Sequence, residues 1–287
     1  MPDAPAPLAV DEEVIRRALD EDAAGMDVTT RLLGDGAGRL AVGRFVAEER
    51  FVVAGVPVAA CAFTLLDRSC GLEQAVGEGE WAGVRDLIAT VRGPVRALLG
   101  GERVALNFLQ RLSGVATATR LAVDAVRGTD AVITDTRKTT PGLRSLEKYA
   151  VRVGGGINHR LSLADAVLWK DNHWRLLGDG SLAGALASVR NGMTVIVEVE
   201  TEEQLDAALA AGARRILVDN QPPERLAEWV RRAGPTVAIE ASGGITPQTA
   251  AAYARAGAEF ISIGALTHSV VAAGVRFDLE IRDEVRR

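Results

Sequence analysis

The chain is poor in thiols, histidines and aromatic rings: of 287 residues, 2 are cysteine, 3 are histidine and 4% are Phe, Trp or Tyr. Two thiols in a chain this long, Cys61 and Cys70, exclude a disulfide framework and point to a reducing compartment. With few rings and abundant Ala, Val, Leu and Gly, the composition suits close helix-on-sheet packing better than an all-β sandwich. There is no apolar run long enough to span a bilayer. The N-terminal "MPDAPAPLAV" lacks the basic and apolar regions of a secretory signal. A basic surplus is also missing, since the net charge is −5, which argues against a general nucleic-acid or membrane surface. The expectation is a cytoplasmic protein without nucleic-acid or membrane partners. No Ser–His–acid spacing is evident and both cysteines fall early in the chain, so electrostatics and positioning are favoured over covalent catalysis.

At 48% hydrophobic, the chain can bury a substantial core, as one large α/β domain or two smaller ones. "DEEVIRRALDED" has the apolar spacing of a helix, and the text from Leu40 to about Leu66 is β-like. "ERVALNFLQRLSGVATATRLAVDAV" predicts a long helix, or two helices meeting at Gly114, apolar nearly all round and broken by a polar stripe at Arg103, Asn107, Gln110 and Gly114. Such a stripe faces either solvent or a site. Beyond residue 130 short apolar runs alternate with helix-like segments: "AVITDT", "AVLWK", "TVIVEVE", "RILVDN", "VAIEAS" and "FISIG". Strands and helices alternating at this spacing predict parallel βαβ units.

Each run ends in polar or small residues: Arg137 and Lys138, Lys170 and Asp171, Glu198 and Glu200, Asp219 and Asn220, Glu240 and Ser242, and Gly264. Residues converging from every strand end suit the C-terminal rim of a (β/α) barrel better than an open sheet, which uses only its switch point. Three chemistries recur on that rim. Arg137, Lys138, His159, Arg160 and Lys170 form a cationic set inside an acidic protein, suited to a substrate with several negative charges. Arg144, Lys148 and Arg152, four apart, read as one solvated helix face. Glu198, Glu200 and Asp219 either hold a divalent ion such as Mg²⁺ or pair only with those cations. "EASGGIT" and "SIGALTHS" place Ser242, Gly243 and Gly264 at the last two strand-to-helix turns, where barrels often cradle phosphate. Lys170 at a strand end also leaves open a Schiff-base lyase.

At these residues the sequence resembles the quinolinate phosphoribosyltransferase family. "DTRKTTPGLRSLEKYAVRVGGGINHRL", "KDNH", "VEVE", "LVDN", "EASGGI" and "ISIGALTHS" follow that family's motifs in order and spacing, with "DEDAAGMDVTT" and "ERVALNFLQRLSGVAT" upstream. The chain departs from the pattern at Trp169, Trp174 and Ile157. The resemblance implies an N-terminal α/β sandwich domain over 1–112, joined by the C-terminal segment 269–287, and an incomplete α/β barrel of parallel strands over 113–268. It implies phosphoribosyl transfer from phosphoribosyl pyrophosphate to quinolinate with decarboxylation, Mg²⁺ dependence, and a dimer or larger oligomer. By motif, Arg137, His159, Arg160 and Lys170 correspond to quinolinate-binding residues and Lys138 to a catalytic lysine near both substrates. Glu200 and Asp219 correspond to the metal and ribose region, and Ser242, Gly243 and Gly264 to the 5′-phosphate cradle. Arg103 corresponds to an arginine supplied to the neighbouring subunit, which makes the active site shared.

Overall fold

The computed structural model describes residues 10–177, 181–189 and 192–281. In chain order its strands are β1 (Leu40–Ala47), β2 (Phe51–Val52), β3 (Gly71–Gln74), β4 (Trp81–Ala82), β5 (Leu87–Pro94) and β6 (Val132–Thr134). They continue as β7 (Ala166–Trp169), β8 (Thr194–Val199), β9 (Arg215–Asp219), β10 (Ala238–Ser242), β11 (Phe260–Ser262) and β12 (Val275–Ile281). The chain divides into two compact units, Met1–Ala118 with Pro141–Gly155 and Val270–Arg287, and Thr119–Thr140 with Gly156–Ser269. No helix among the described residues is long and apolar enough to cross a membrane.

The first unit is built on an antiparallel sheet of order β12-β1-β5-β3. β1 is a central strand of that sheet and is buried along most of its length, with Leu40 exposed and Arg44 half-buried. Phe45 on β1 pairs in register with Phe277 on β12, and the rings meet edge-on with centroids 4.9 Å apart. Phe63, from the helix Val56–Leu66, packs on both. This aromatic cluster ties the end of the chain to the edge of the sheet. The helix Val95–Ala125 also contributes to this core through Leu98, Leu109 and Leu112. Its polar stripe splits into two roles. Arg103 and Asn107 are exposed, whereas Gln110 donates to the Val275 carbonyl at 2.9 Å and Gly114 lies against the Val271 carbonyl.

Residues 141–155 were expected within the barrel run of 113–268, but they cluster with the first unit. The reason is apolar burial. The helix Arg144–Val153 inserts Leu146, Tyr149, Ala150, Val151 and Val153 into the first unit's core, and the Tyr149 hydroxyl donates to Glu78 at 2.7 Å. Lys148 is buried too, so the solvated face expected of Arg144, Lys148 and Arg152 is not formed. Regular spacing of charges cannot distinguish a wet face from one that is covered.

The second unit carries a parallel sheet of 6 strands in the order β6-β11-β10-β9-β8-β7. Read from β7, each strand pairs with its successor, and the first strand of the set, β6, lies beside the last. That is the cyclic order of a (β/α) barrel broken at one seam, between β6 and β7, where only a Thr134–Ile157 bridge forms. A doubly wound sheet would reverse direction at a switch point instead. Helices Glu202–Ala210, Pro223–Ala233 and Pro247–Arg255 cover the sheet, as the apolar strand runs require. Two of them start where the sequence supplies a capping box, Thr201 with Gln204 and Thr246 with Thr249.

Candidate active site

Period-two geometry brings the rim residues together. Leu168 and Lys170, Leu217 and Asp219, and Glu240 and Ser242 are each two apart at the ends of β7, β9 and β10, so each pair shares a face. With Glu198 of β8, Ser262 of β11, and Thr136, Arg137, Lys138, His159 and Arg160 from the loops, they line one cavity of about 280 Å³. A larger cavity of about 590 Å³ adjoins the opposite ends of β8 and β9, at Thr194 and Arg215. It is walled mainly by Ala, Leu, Met and backbone, and gathers no comparable set of polar groups.

Glu198, Leu217 and Glu240 are in register on three adjacent strands, so a leucine separates two inward carboxylates. Each carboxylate has its own cation. Lys170 Nζ sits 2.8 Å from Glu198 Oε2, and Arg215 Nη2 sits 2.8 Å from Glu240 Oε2. Burial raises the Glu198 pKa, with Asp219 and Asp171 adding to it, although Lys170 opposes the shift. Burial also works to raise Glu240, but there the pull of His159, Arg215 and Ser262 outweighs it and holds the carboxyl below the usual carboxylate value.

The cations at the mouth are different. Arg137 Nε is buried without a hydrogen-bond partner. Arg160 spends one Nη1 bond on the Ala166 carbonyl at 3.1 Å. Its pKa is lowered, first by burial and then by the like charge of Arg137. Asp165 and Glu198 oppose that shift without cancelling it, so an anion entering the cavity between the two guanidiniums would be attracted by both. Lys138 is exposed at the same rim, its carbonyl held by Thr267 Oγ1 at 2.8 Å.

His159 is part of this wall, and its two ring nitrogens have different neighbours. Its Nδ1 accepts the Arg160 backbone N–H at 2.9 Å, so the single ring proton is on Nε2, 3.4 Å from Glu240 Oε1. Histidine was grouped with the cations from residue type alone, which carries no information on tautomer.

One carboxylate oxygen from each of Glu198, Glu200 and Asp219 lies within 4.8 Å of the others. Glu198 is buried and lines the cavity, whereas Glu200 is exposed just past the end of β8. The cavity wall of the "VEVE" segment is therefore Glu198, which was expected in the carboxylate set of the rim but not among the residues matched to the family's motifs. Glu240 likewise was expected on the rim, beside Ser242, but was given no role in the site. Such an all-oxygen, partly buried donor set suits a hard divalent cation such as Mg²⁺.

Ser242 ends β10, and Gly243 follows with φ +94. A Cβ on Gly243 would stand 2.2 Å from Asn220 Oδ1, so glycine is required both for the backbone and for the approach of the β9 turn. Gly264 lies beside Lys138 and His268 at the next turn. Arg103 is the one expected site residue elsewhere. It lines a separate cavity of the first unit with Asn107 and Arg111, exposed and without an ion pair among the described residues.

Fold and cavity together define a barrel-type α/β enzyme whose rim handles a polyanionic substrate. The family profiles described as "Quinolinate phosphoribosyl transferase, N-terminal domain" and "C-terminal domain" match residues 27–113 and 115–278. "Nicotinate-nucleotide pyrophosphorylase [carboxylating]" of Mycobacterium leprae is 44% identical over 279 residues, 93% of this chain and 96% of its own length. "Quinolinate phosphoribosyltransferase [decarboxylating] 1" of Nicotiana glauca is 36% identical, over 96% of this chain and 84% of its own. The crystal structure of NadC from Streptococcus pyogenes superposes with a TM-score of 0.88 at 36% identity, covering 95% of this chain and 97% of that one. The chain belongs to the quinolinate phosphoribosyl transferase family.

Proposed function

We propose that this chain transfers the phosphoribosyl group of phosphoribosyl pyrophosphate to the ring nitrogen of quinolinate. Loss of carbon dioxide then gives nicotinate mononucleotide, pyrophosphate and carbon dioxide, a step of NAD biosynthesis. Family membership supports the reaction. The observation that carries the acceptor's identity is the Arg137–Arg160 pair, two mutually repelling guanidiniums on one cavity, Arg137 with a buried Nε that has no hydrogen-bond partner, with Lys170 and Lys138 nearby. A dicarboxylate supplies what that pair needs.

The residues divide the work. Arg137, Arg160 and Lys170 bind the acceptor's carboxylates, and His159 shapes the wall behind them. The ring nitrogen attacks the anomeric carbon as the bond to pyrophosphate breaks, its electron pair leaving with pyrophosphate. Asp219 and Glu200 face the positive charge that develops on the ribose, and Lys138 stands near both substrates. When the carbon–carbon bond to the departing carboxyl breaks, its pair stays on the ring, stabilised by the same cations until solvent supplies a proton. Ser242, Gly243 and Gly264 offer small side chains and backbone N–H groups to the 5′-phosphate. Glu200 and Asp219, with Glu198, would hold Mg²⁺, whose chemistry there is to neutralise diphosphate charge.

Lys170 bears on the lyase alternative. Its pairing with the buried Glu198 at 2.8 Å favours a charged, substrate-binding role over that of an amine nucleophile, and borohydride trapping with a carbonyl substrate separates the two. The protein acts as a homodimer in which Arg103 serves the other subunit's site; its exposure without an ionic partner supports this. The test of the reaction is incubation with quinolinate, phosphoribosyl pyrophosphate and Mg²⁺, followed by chromatography for nicotinate mononucleotide. Nicotinate, with one carboxylate, is expected to be a poor acceptor because it leaves cations unpaired. Equal turnover of the two acids would refute the acceptor assignment.

A further inference from the structure

Among the described residues of the barrel unit two carboxylates are fully buried, Asp135 and Glu240, and neither belongs to the substrate-binding set. Both act on the segment that carries Arg160. Asp135 accepts from Asn158 Nδ2 at 2.6 Å and from the His159 backbone N–H at 2.9 Å. Glu240 engages donors on both of its oxygens. Oε2 takes Arg215 Nε at 2.9 Å and Nη2 at 2.8 Å, while Oε1 takes the Ser262 hydroxyl and faces His159 Nε2. A carboxylate has no proton to donate here, so it favours an imidazole that presents N–H at Nε2. That choice keeps Nδ1 an acceptor, and Nδ1 is the atom that receives the Arg160 backbone N–H at 2.9 Å.

We propose that Glu240 is a positioning residue: it selects the Nε2–H tautomer of His159, and His159 through Nδ1 sets Arg160 for the acceptor's carboxylate. The proposal rests on the reading of the Arg137–Arg160 edge as the acceptor site. Arg215 and Ser262 complete the device. Arg215 neutralises the carboxylate from β9, and Ser262 occupies the remaining acceptor position from β11. The line Arg215–Glu240–His159–Arg160 thus alternates donor and acceptor at each contact, and a change at Glu240 is felt at Arg160 without any contact between the two.

Glu240→Gln is nearly isosteric and inverts this logic. Arg215, with two N–H groups aimed at Oε2, retains the amide oxygen, which turns the amide NH₂ toward His159 Nε2–H and Ser262. Two donors then meet. Moving the ring proton to Nδ1 relieves that clash but opposes Nδ1–H to the Arg160 N–H. In either arrangement one bond of the line is lost.

The experiment has two arms on the full-length protein. In the first, steady-state kinetics compare wild type with Glu240→Gln. The KM for quinolinate is expected to rise about tenfold or more, while the KM for phosphoribosyl pyrophosphate changes by less than about threefold. A purely structural role would lower kcat or stability without separating the two substrates, and an unchanged quinolinate KM overturns the proposal. In the second, long-range ¹⁵N–¹H spectra of ¹⁵N-histidine-labelled wild type report the His159 tautomer directly. The chain has 3 histidines, so His173→Gln and His268→Gln assign the signals. A protonated Nε2 with an acceptor-type Nδ1 at neutral pH supports the proposal; an Nδ1–H or doubly protonated ring overturns it, even if Glu240→Gln does not fold. If wild type fails to use quinolinate, the functional reading falls and takes the acceptor role with it, while the tautomer is still decided by the spectra.

Discussion

At the scale of single residues, charge without a partner is the most informative feature of this protein. Arg137 and Arg160 repel one another beside a cavity, Asp165 and Glu198 offset the Arg160 charge only in part, and Arg137 Nε is buried without a hydrogen-bond partner. Arg137→Ala should therefore remove acceptor binding energy of about 1.5–3 kcal/mol, roughly a 10- to 100-fold rise in the KM for quinolinate. Loss of the like charge should also leave the fold as stable as before or slightly more so. Steady-state kinetics and urea unfolding of the variant test both statements. Gly243 illustrates the opposite constraint, where absence of a side chain is the requirement. Gly243→Ala would force a Cβ onto Asn220 at a φ of +94, so a loss of about 1–3 kcal/mol in stability is expected, read from the urea midpoint.

At the scale of elements, parallel strands convert residue spacing into a shared face. β8 and β9 bring Glu198, Glu200 and Asp219 within 4.8 Å, on the side proposed for ribose and diphosphate. Glu200→Ala and Asp219→Ala should lower turnover by about 10²-fold or more while leaving quinolinate affinity within about threefold. Calorimetric titration with quinolinate alone separates the two effects; lost affinity with intact turnover would reverse the assignment. β9 and β10 are joined by Arg215 and Glu240. Because the Glu240 pKa is lowered in the folded protein, its contribution to stability is fully present above the ordinary value of 4.5. It is lost as pH falls through the lower folded-state pKa. The stability difference between wild type and Glu240→Gln should accordingly be largest near neutral pH and shrink below about pH 4, measured by urea unfolding across that range.

At the scale of the whole molecule, the question is what Arg103 does. It is exposed, beside Asn107, on a helix that buries much of its surface in the core, and no ion pair to it is present among the described residues. If it serves a second subunit, Arg103→Ala and Arg160→Ala should each be nearly inactive alone. A co-refolded mixture of the two should regain activity, because in a mixed dimer one site carries both lesions and the other carries none. A mixture that stays inactive while both variants fold and dimerise would show that Arg103 acts within its own chain.

Much of this was legible in the linear sequence because it depends on local periodicity and residue chemistry. Apolar runs alternating with capped helices specified parallel βαβ units, since burial on both faces demands continuous apolar strands. Polar residues at every strand end specified a rim, and Arg137, Arg160 and Lys170 could be assigned to an anion from side-chain chemistry alone. Tertiary structure decided what depends on distant partners. It buried Lys148 and drew 141–155 into the first unit, because contacts far along the chain cover a helix face that its own spacing leaves ambiguous. It placed Glu198, rather than Glu200, in the cavity wall, because only the end point of β8 determines which glutamate remains inside. And it set His159 between Glu240 and Arg160, because the role of each ring nitrogen depends on what it meets in space.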